Sequence, residues 1–342
     1  MRRALFLSIL CLLPWNLNAK PRAPFPDNAF DGGVPSAESL GRGNTFAAIQ
    51  GTHAAGSENP ASLVIKLSNA TYATANVGQS SPRLTRSERR QNDPLQGKIT
   101  NYVAVGAGSG LLYYEPLSRL DQKQITDSLN PNTDYRDVQL SADAFGFAGA
   151  TTWKKGSFGI SLAYLHASQE TIEHQSGTAD KSLYDTADGF RANMGFLFPL
   201  KSYTAGLVVQ NAPSFLWWHH YKRNQLPVKV RVGNAWSIQN KITLSLDGDI
   251  HYYHEGSKSE KNLYFGAEWP INEQFVVRSG VFGPNLNGGS ERHITGGLTY
   301  RAETGAKISY ALERFDISNE RVLKSVISLQ IPIATDGSSP GK

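Results

Sequence analysis

The sequence predicts an all-β fold, a transmembrane antiparallel β-barrel of about 14 strands preceded by an N-terminal segment of different character. Three observations predict it: an export signal at the start, strand-length segments in which apolar and polar side chains alternate, and connections that are short at one end of the strands and long at the other.

The export signal comes first. Met1-Arg2-Arg3 is basic, Ala4 to Trp15 is a short apolar run, and Asn16-Leu17-Asn18-Ala19 ends in a small residue suited to cleavage. A run of about a dozen residues is far short of the roughly 20 that a membrane-spanning helix needs, and Pro14 interrupts it. Residues 1–19 are therefore read as a signal peptide. Cys11 is the one cysteine, and Ser8-Ile9-Leu10 before it does not match a lipid-acceptor site, so the mature chain would hold no thiol for a disulfide, a zinc site or a nucleophile. Without Arg2 and Arg3, 32 basic side chains face 29 acidic ones, a net charge of +3 that gives no reason to expect nucleic acid. A mean hydropathy of −0.35 looks soluble, but a barrel gives the same average because every second residue faces a polar interior.

The alternation is plainest from about residue 138 onward. Ile294, Gly296, Leu298, Tyr300 and Ala302 take turns with His293, Thr295, Gly297, Thr299 and Arg301, and side chains of successive strand residues point to opposite faces. Ile242, Leu244, Leu246, Ile250 and Tyr252 oppose Lys241, Thr243, Ser245, Asp247, Asp249 and His251 in the same way. The polar sides place Lys229, Arg231, Lys241, Asp247, Asp249, His293, Arg301, Lys307 and Glu313 inside, as a self-paired, hydrated lumen. Soluble β-sandwiches alternate too, and the connections argue against one. Short turns at Lys154-Lys155-Gly156, Leu200-Lys201-Ser202, Asn240, Ile271-Asn272 and Glu303-Thr304-Gly305 take turns with longer polar loops near 172–186, 213–226, 255–260, 284–290 and 317–321. Outward residues nearest the short turns include Phe158, Phe198, Tyr203, Trp236, Trp269, Phe275 and Tyr300, an aromatic belt of the kind a lipid–water boundary selects.

Fourteen strands can be counted, the first over 62–77, the third over 110–117 and the seventh over 202–212, provided Gly106 to Gly110 is a tight turn. The domain reading is a signal peptide over 1–19, a linker and N-terminal segment over 20–61, which the resemblance given below implies to be a plug, a barrel over 62–333 and a polar tail over 334–342.

The segment ahead of the barrel opens with Pro21, Pro24 and Pro26 and then turns glycine-rich. A phosphate cradle at Gly41-x-Gly43 is excluded, because no strand precedes it and the third glycine is missing. Leu40-Gly41-Arg42-Gly43-Asn44-Thr45-Phe46-Ala47-Ala48 and Asn59-Pro60-Ala61-Ser62-Leu63 resemble the two opening motifs of the outer-membrane superfamily that includes the long-chain fatty-acid transporters and the type IX secretion barrel. The resemblance implies a 14-stranded barrel whose N-terminal segment folds inward as a plug, with Gly41, Gly43, Asn44, Asn59, Pro60 and Ala61 as its motif residues. In the transporter branch it also implies a hydrophobic molecule caught at the outer rim and released through a lateral gap in the wall. His53 and Ser57 stand where members carry an acidic turn, Ser62 stands for a glycine, and the chain lacks a terminal aromatic, so no particular cargo carries over.

Other candidate sites are few. Trp217, Trp218 and Tyr221, read as part of an outer loop after Pro213, could capture an apolar ligand or anchor at the lipid boundary. Arg83, Arg86, Arg89 and Arg90 could pair with lipopolysaccharide phosphates. His251, His254 and Glu255 would share a metal ion only on a helix; on a strand positions 251 and 254 face opposite sides, so no metal is expected. Spacing ties together no Ser-His-Asp or paired-carboxylate set, so neither an enzyme nor a cofactor is expected. The expected function is passive uptake or export of a hydrophobic small molecule, the alternative a non-conducting barrel that docks a partner. The expected partners are outer-membrane lipid, lipopolysaccharide, the barrel-assembly machinery and a hydrophobic ligand.

Overall fold

The computed structural model describes residues 20–333 except 26–28, 31–34, 65–70, 81–99, 128, 131–133, 240, 254–258, 284–291 and 318–319. Residues 1–19, read above as a signal peptide, the arginines at 83–90, His254, Glu255 and residues 334–342 lie outside the described residues.

Fifteen strand segments form one antiparallel sheet: β1 (Thr71–Ser80), β2 (Thr100–Ala107), β3 (Gly110–Ile125), β4 (Tyr135–Trp153), β5 (Gly156–His174), β6 (Lys181–Pro199), β7 (Tyr203–Gln210), β8 (Ser214–Trp218), β9 (Val228–Ile238), β10 (Ile242–Tyr252), β11 (Glu260–Pro270), β12 (Phe275–Gly283), β13 (His293–Arg301), β14 (Lys307–Ile317) and β15 (Glu320–Ile333). β1 pairs with β15 from Thr71↔Ile333 to Ser80↔Lys324, so the sheet closes on itself. β7 and β8 both pair with β6, over Met194–Pro199 and Ala187–Arg191, and count as one interrupted strand. The result is a closed 14-stranded antiparallel barrel.

The interruption corrects the sequence reading at Trp217, Trp218 and Tyr221. Pro213 lacks an N–H and breaks the ladder only locally, after which Phe215 and Trp217 turn outward while Leu216 and Trp218 turn in. Trp218 is buried, and so is Tyr221 just beyond the strand; neither is an exposed loop aromatic. Other boundaries also shift. Residues 60–64 form a 3-10 turn rather than the start of the first strand, which begins at Thr71, and β14 and β15 are joined by residues 318–319 alone.

The third strand runs far past the predicted end. Pro116 opposes Asp143 and Ser118 opposes Ala142, so Leu117 is an extra residue and the side-chain alternation slips by one. Below the bulge Leu112 and Tyr114 face out; above it Arg119 and Lys123 do. β2 pairs with β3 only as far as Val103↔Tyr114, and among the described residues Glu115 to Ile125 pairs with β4 alone.

The apolar sides of the strands lie outside and uncovered: Leu112, Val232, Ile294, Ile327 and Ile331 are all exposed. Near the short turns the aromatic belt includes Trp153, Phe198, Tyr203, Trp236, Trp269 and Tyr300. A second belt crosses five strands in register, Tyr114↔Phe145↔Tyr164↔Phe190↔Phe215. From Phe198 to Phe190 the chain climbs about 26 Å at 3.3 Å per residue, or about 20 Å once strands tilt, close to the ~25 Å apolar band of such barrels. One step higher stand Asp143, His166, Asp188 and Trp217, where polarity returns to the outer face.

Candidate functional site in the barrel lumen

The N-terminal segment is built to lie against inward-facing side chains. Ser36 caps helix α1 (Ala37–Gly41), its hydroxyl accepting from the Ser39 N–H at 3.2 Å. The helix rests on β12 to β15, with Leu40 buried against Ala311 and Val326. Gly43 turns the chain at φ +64°, and a Cβ there would collide with the Phe265 carbonyl, so only glycine serves both the conformation and the closeness. Its N–H donates to Thr295 Oγ1 at 3.0 Å. Asn44 follows in the same left-handed region at φ 60°, and its carbonyl accepts from Arg231. Gly41 packs against Gly297, where an added Cβ would lie 3.1 Å from the Gly297 Cα.

The second motif works on the opposite wall. The Asn59 side chain donates to the Ala47 carbonyl at 2.6 Å and accepts from the Ala61 N–H at 3.0 Å, which ties the two motifs together and starts the 3-10 turn (Pro60–Val64). That turn lies on β4, β5 and β6. Pro60 and Ala61 sit where a side chain on Gly159 would be, and Ser157 donates to the Ala61 carbonyl at 2.9 Å.

Charge is concentrated at three points. Glu268 accepts from Arg42 at 2.7 Å and from Arg278 at 2.6 Å, one carboxylate bridging two buried guanidiniums, with Glu38 3.9 Å from Arg278. Asp247 accepts the N–H groups of Phe46 and Ala47 at 2.8 and 2.9 Å, and its neighbour Asp249 pairs with Arg231. On the far wall Glu115 pairs with Arg191 and accepts from Ser57. Burial works against the Arg42 charge, but Glu268, Glu38 and Glu58 more than offset it and hold its pKa above the ordinary arginine value. Burial also pushes Glu38 upward, and Arg278 leads the charges that overcome this and hold it at about 2.

Glu58 is wholly buried and accepts from the hydroxyls of Ser36, Ser39 and Thr52. Burial raises its pKa, with those hydroxyls and Arg42 pulling the other way. It is an acidic residue one position beyond Ser57. His53 is buried edge-on to Tyr72 at 5.1 Å, and burial lowers its pKa to about 4.

Of the inward residues read from sequence, Arg231, Asp247, Asp249, His293 and Glu313 are buried, and His293 pairs with Glu313. Arg191, which alternation sets on the polar side of its strand with Asn193, is buried as well; sequence reasoning missed Glu268, Arg278 and Glu115. Strand parity was the available signal, since Glu268 and Arg278 share the inward side of their strands with Gly266 and Gly280. Trp218 packs on Phe25 with centroids 5.8 Å apart, and Lys20 donates to the carbonyls of Trp218 and His219, so the N-terminal residues reach the long-loop end of the lumen. Among the described residues no cluster of His, Asp, Glu or Cys is arranged to hold a metal ion, and no helix is long and apolar enough to cross a membrane.

No protein-family model and no curated protein sequence matches the chain. Solved structures do. The CymD monoaromatic hydrocarbon channel superposes with a TM-score of 0.64 at 13% identity, covering 90% of this chain and 99% of that one. The toluene transporter TbuX of Ralstonia pickettii gives 0.61 at 14% identity over 89% and 99%. A FadL homologue from Pseudomonas aeruginosa gives 0.56 at 11% identity over 91% and 99%. The chain thus has the fold of the long-chain fatty-acid transporter-like barrels.

Proposed function

We propose that this chain belongs to that superfamily in function as well as fold, and that it lets a hydrophobic small molecule cross the outer membrane. In this reading residues 36–64 are the plug and the bulged stretch of β3 around Leu117 is where the wall lets a molecule leave sideways. The observation that carries it is the bulge at Leu117. Where β3 parts from β2, buried Glu115, Leu117 and Ser118 of the lumen lie directly behind outward Tyr114 and Arg119. A molecule could pass there between interior and lipid without travelling the whole axis, which residues 36–64 occupy. Passage in this reading is passive. The same reading has the chain exported, inserted by the barrel-assembly machinery, and without covalent chemistry. The two aromatic belts suit a bilayer, and outward Arg119 and Lys123 above the upper belt suit lipopolysaccharide phosphates.

The test is uptake of a labelled aromatic hydrocarbon or fatty acid into proteoliposomes. We expect saturable uptake by the native chain and at least a fivefold loss when Leu117 is deleted and Pro116 replaced by Val, which restores the ladder. No uptake by the native chain, even with residues 38–61 removed, refutes conduction and favours a docking barrel.

A further inference from the structure

Where β6 and β8 meet, three aromatic rings stand on the outer face in mutual contact. Phe190 and Phe215 lie edge to face with centroids 5.5 Å apart, and Trp217 lies 5.8 Å from each. Phe190 and Phe215 belong to the second belt, while Trp217 stands one step higher, at the level where polarity returns. Leu216 and Asn224 exchange both backbone hydrogen bonds, at 2.9 and 3.0 Å, so the returning chain runs beside β8 and antiparallel register sets Arg223 opposite Trp217. The Arg223 guanidinium folds over the Phe215 ring, 4.8 Å from its centre.

The cations of this corner are unmatched. Elsewhere on the outer face Arg119 pairs with Asp143, and Lys123 is seated 3.5 Å over the Tyr135 ring. Arg223 and its neighbour Lys222 are exposed, and neither side chain has a carboxylate partner among the described residues. Two carboxylates of β6 come near and both are engaged. Asp188, opposite Trp217, turns toward β5, where it accepts from Tyr164 and lies 3.0 Å from His166. Asp185 is buried and accepts the His220 N–H at 2.9 Å. A free guanidinium and a free ammonium thus border an aromatic surface that faces the apolar band.

We infer that this corner binds one molecule of lipopolysaccharide by its lipid A, with a phosphate held by Arg223 and Lys222 and an acyl chain laid across Phe190, Phe215 and Trp217. This rests on the outer-membrane part of the reading above, not on conduction, and gives the lipid partner an address. An uncharged apolar molecule covers the rings but leaves the guanidinium unmatched, and an acidic peptide has no reason to lie on a surface turned to hydrocarbon. A phosphate accepts two parallel hydrogen bonds from one guanidinium, which fixes a headgroup as well as attracting it. Lipid A sets its phosphates on an acylated sugar, directly above the chains, which is the arrangement of charge over aromatic surface seen here. The long loops mark this end of the barrel as the outer one, where the leaflet carries lipopolysaccharide.

Binding of labelled lipopolysaccharide to the full chain, freed of lipid in detergent and with empty micelles subtracted, tests the assignment. The same lipopolysaccharide stripped of its lipid A phosphates and labelled phosphatidylglycerol serve as the comparison arms. We expect saturable binding of one lipopolysaccharide per chain, with both comparison lipids about tenfold weaker. Arg223→Gln should weaken binding about tenfold, Arg223→Lys less, and Trp217→Leu by a few-fold. Arg119→Gln removes a charge that Asp143 already matches and should change binding by no more than about twofold. Heat-modifiable gel mobility confirms that each variant is folded, and should Arg223→Gln not fold, Lys222→Gln and the native chain's preference for the phosphorylated form decide. Equal binding of the dephosphorylated form, phosphatidylglycerol binding as tightly, no saturable binding, or a folded Arg223→Gln that binds like the native chain overturns the assignment. Hydrocarbon uptake without lipopolysaccharide binding sinks this inference alone, whereas lipopolysaccharide binding without any uptake supports it and sinks the channel reading.

Discussion

Against β9 to β14 the N-terminal segment is held by charge in addition to close backbone contact at Gly266, Gly280 and Gly297: Glu268 lies between Arg42 and Arg278, and Asp247 on the Phe46 and Ala47 amides. Against β4 to β6 it is held chiefly by closeness, with Pro60 and Ala61 filling the space over Gly159, Asn59 over Gly195, and Leu63 in an apolar cluster with Leu165 and Tyr113. The two anchors respond to different insults. A buried ion network fails abruptly when one member is removed or neutralised, since the remaining charges are stranded. A backbone-on-glycine contact ignores pH and fails only when volume is added. On the channel reading proposed above, a segment that must yield at one side and stay attached at the other is well served by such a pair.

The largest effect expected from this contrast comes from Glu268→Leu. It leaves the Arg42 and Arg278 guanidiniums buried without their shared carboxylate, at a cost of about 3–5 kcal/mol. Trypsin should then cut after Arg42 in the folded barrel at least about a hundredfold faster, while residues 59–64 stay protected. Equal protection of both halves before and after substitution would mean the charge network anchors nothing.

Acid should act on the same side. His53 has its pKa lowered to about 4 by burial, with Glu38 opposing the shift and Lys307 adding to it. A depressed histidine favours the docked, neutral form above pH 6.5, and that contribution fades as pH falls from 6.5 through 4. The full span is on the order of 3 kcal/mol. Protection of residues 36–58 from protease should therefore drop between pH 7 and pH 4.5, and His53→Phe should flatten that dependence. Glu38, held at about 2, opposes release only above the ordinary carboxylate range, so its share is lost below pH 4.5.

The wall of β4 to β6 should answer to volume instead. Gly159→Val places a side chain where Pro60 and Ala61 lie, with about 1–3 kcal/mol of overpacking. We expect residues 59–64 to become labile at every pH while protection at Arg42 survives. If the Arg42 half loosens equally, the two anchors are one cooperative unit.

Much of this architecture was legible because a strand has a period of two. Where a strand runs uninterrupted, as from His293 to Arg301, parity alone separates outward Ile294 and Leu298 from inward Thr295 and Thr299. Parity fails where the backbone slips. The extra residue at Leu117 exchanges the faces of β3, so Arg119 and Lys123 fall out of phase with Leu112 and Tyr114, and the strand looks finished at 117. Pro213 hides β8 in the same way, turning an outward–inward pair, Trp217 and Trp218, into an apparent loop cluster. The glycine and Asn-Pro motifs could be read as motifs, but their partners could not. That Glu268 meets Arg42, or that Glu58 collects three hydroxyls, depends on contacts across more than 200 residues in one case and a folded turn in the other.

The smallest effect expected lies outside the lumen, on the wall of long strands. Arg119 donates to Asp143 at 2.6 Å on the outer face above the second aromatic belt, and Tyr114 donates to the same carboxylate at 2.8 Å. Both partners of the ion pair are partly open to solvent, so Asp143→Asn should cost no more than about 1 kcal/mol and move the thermal midpoint in detergent by a few degrees at most. Neither of the lumenal anchors should notice. A larger loss, or one accompanied by cleavage at Arg42, would mean that the bulge at Leu117 is braced from outside and that the outer pair governs how the segment within is held.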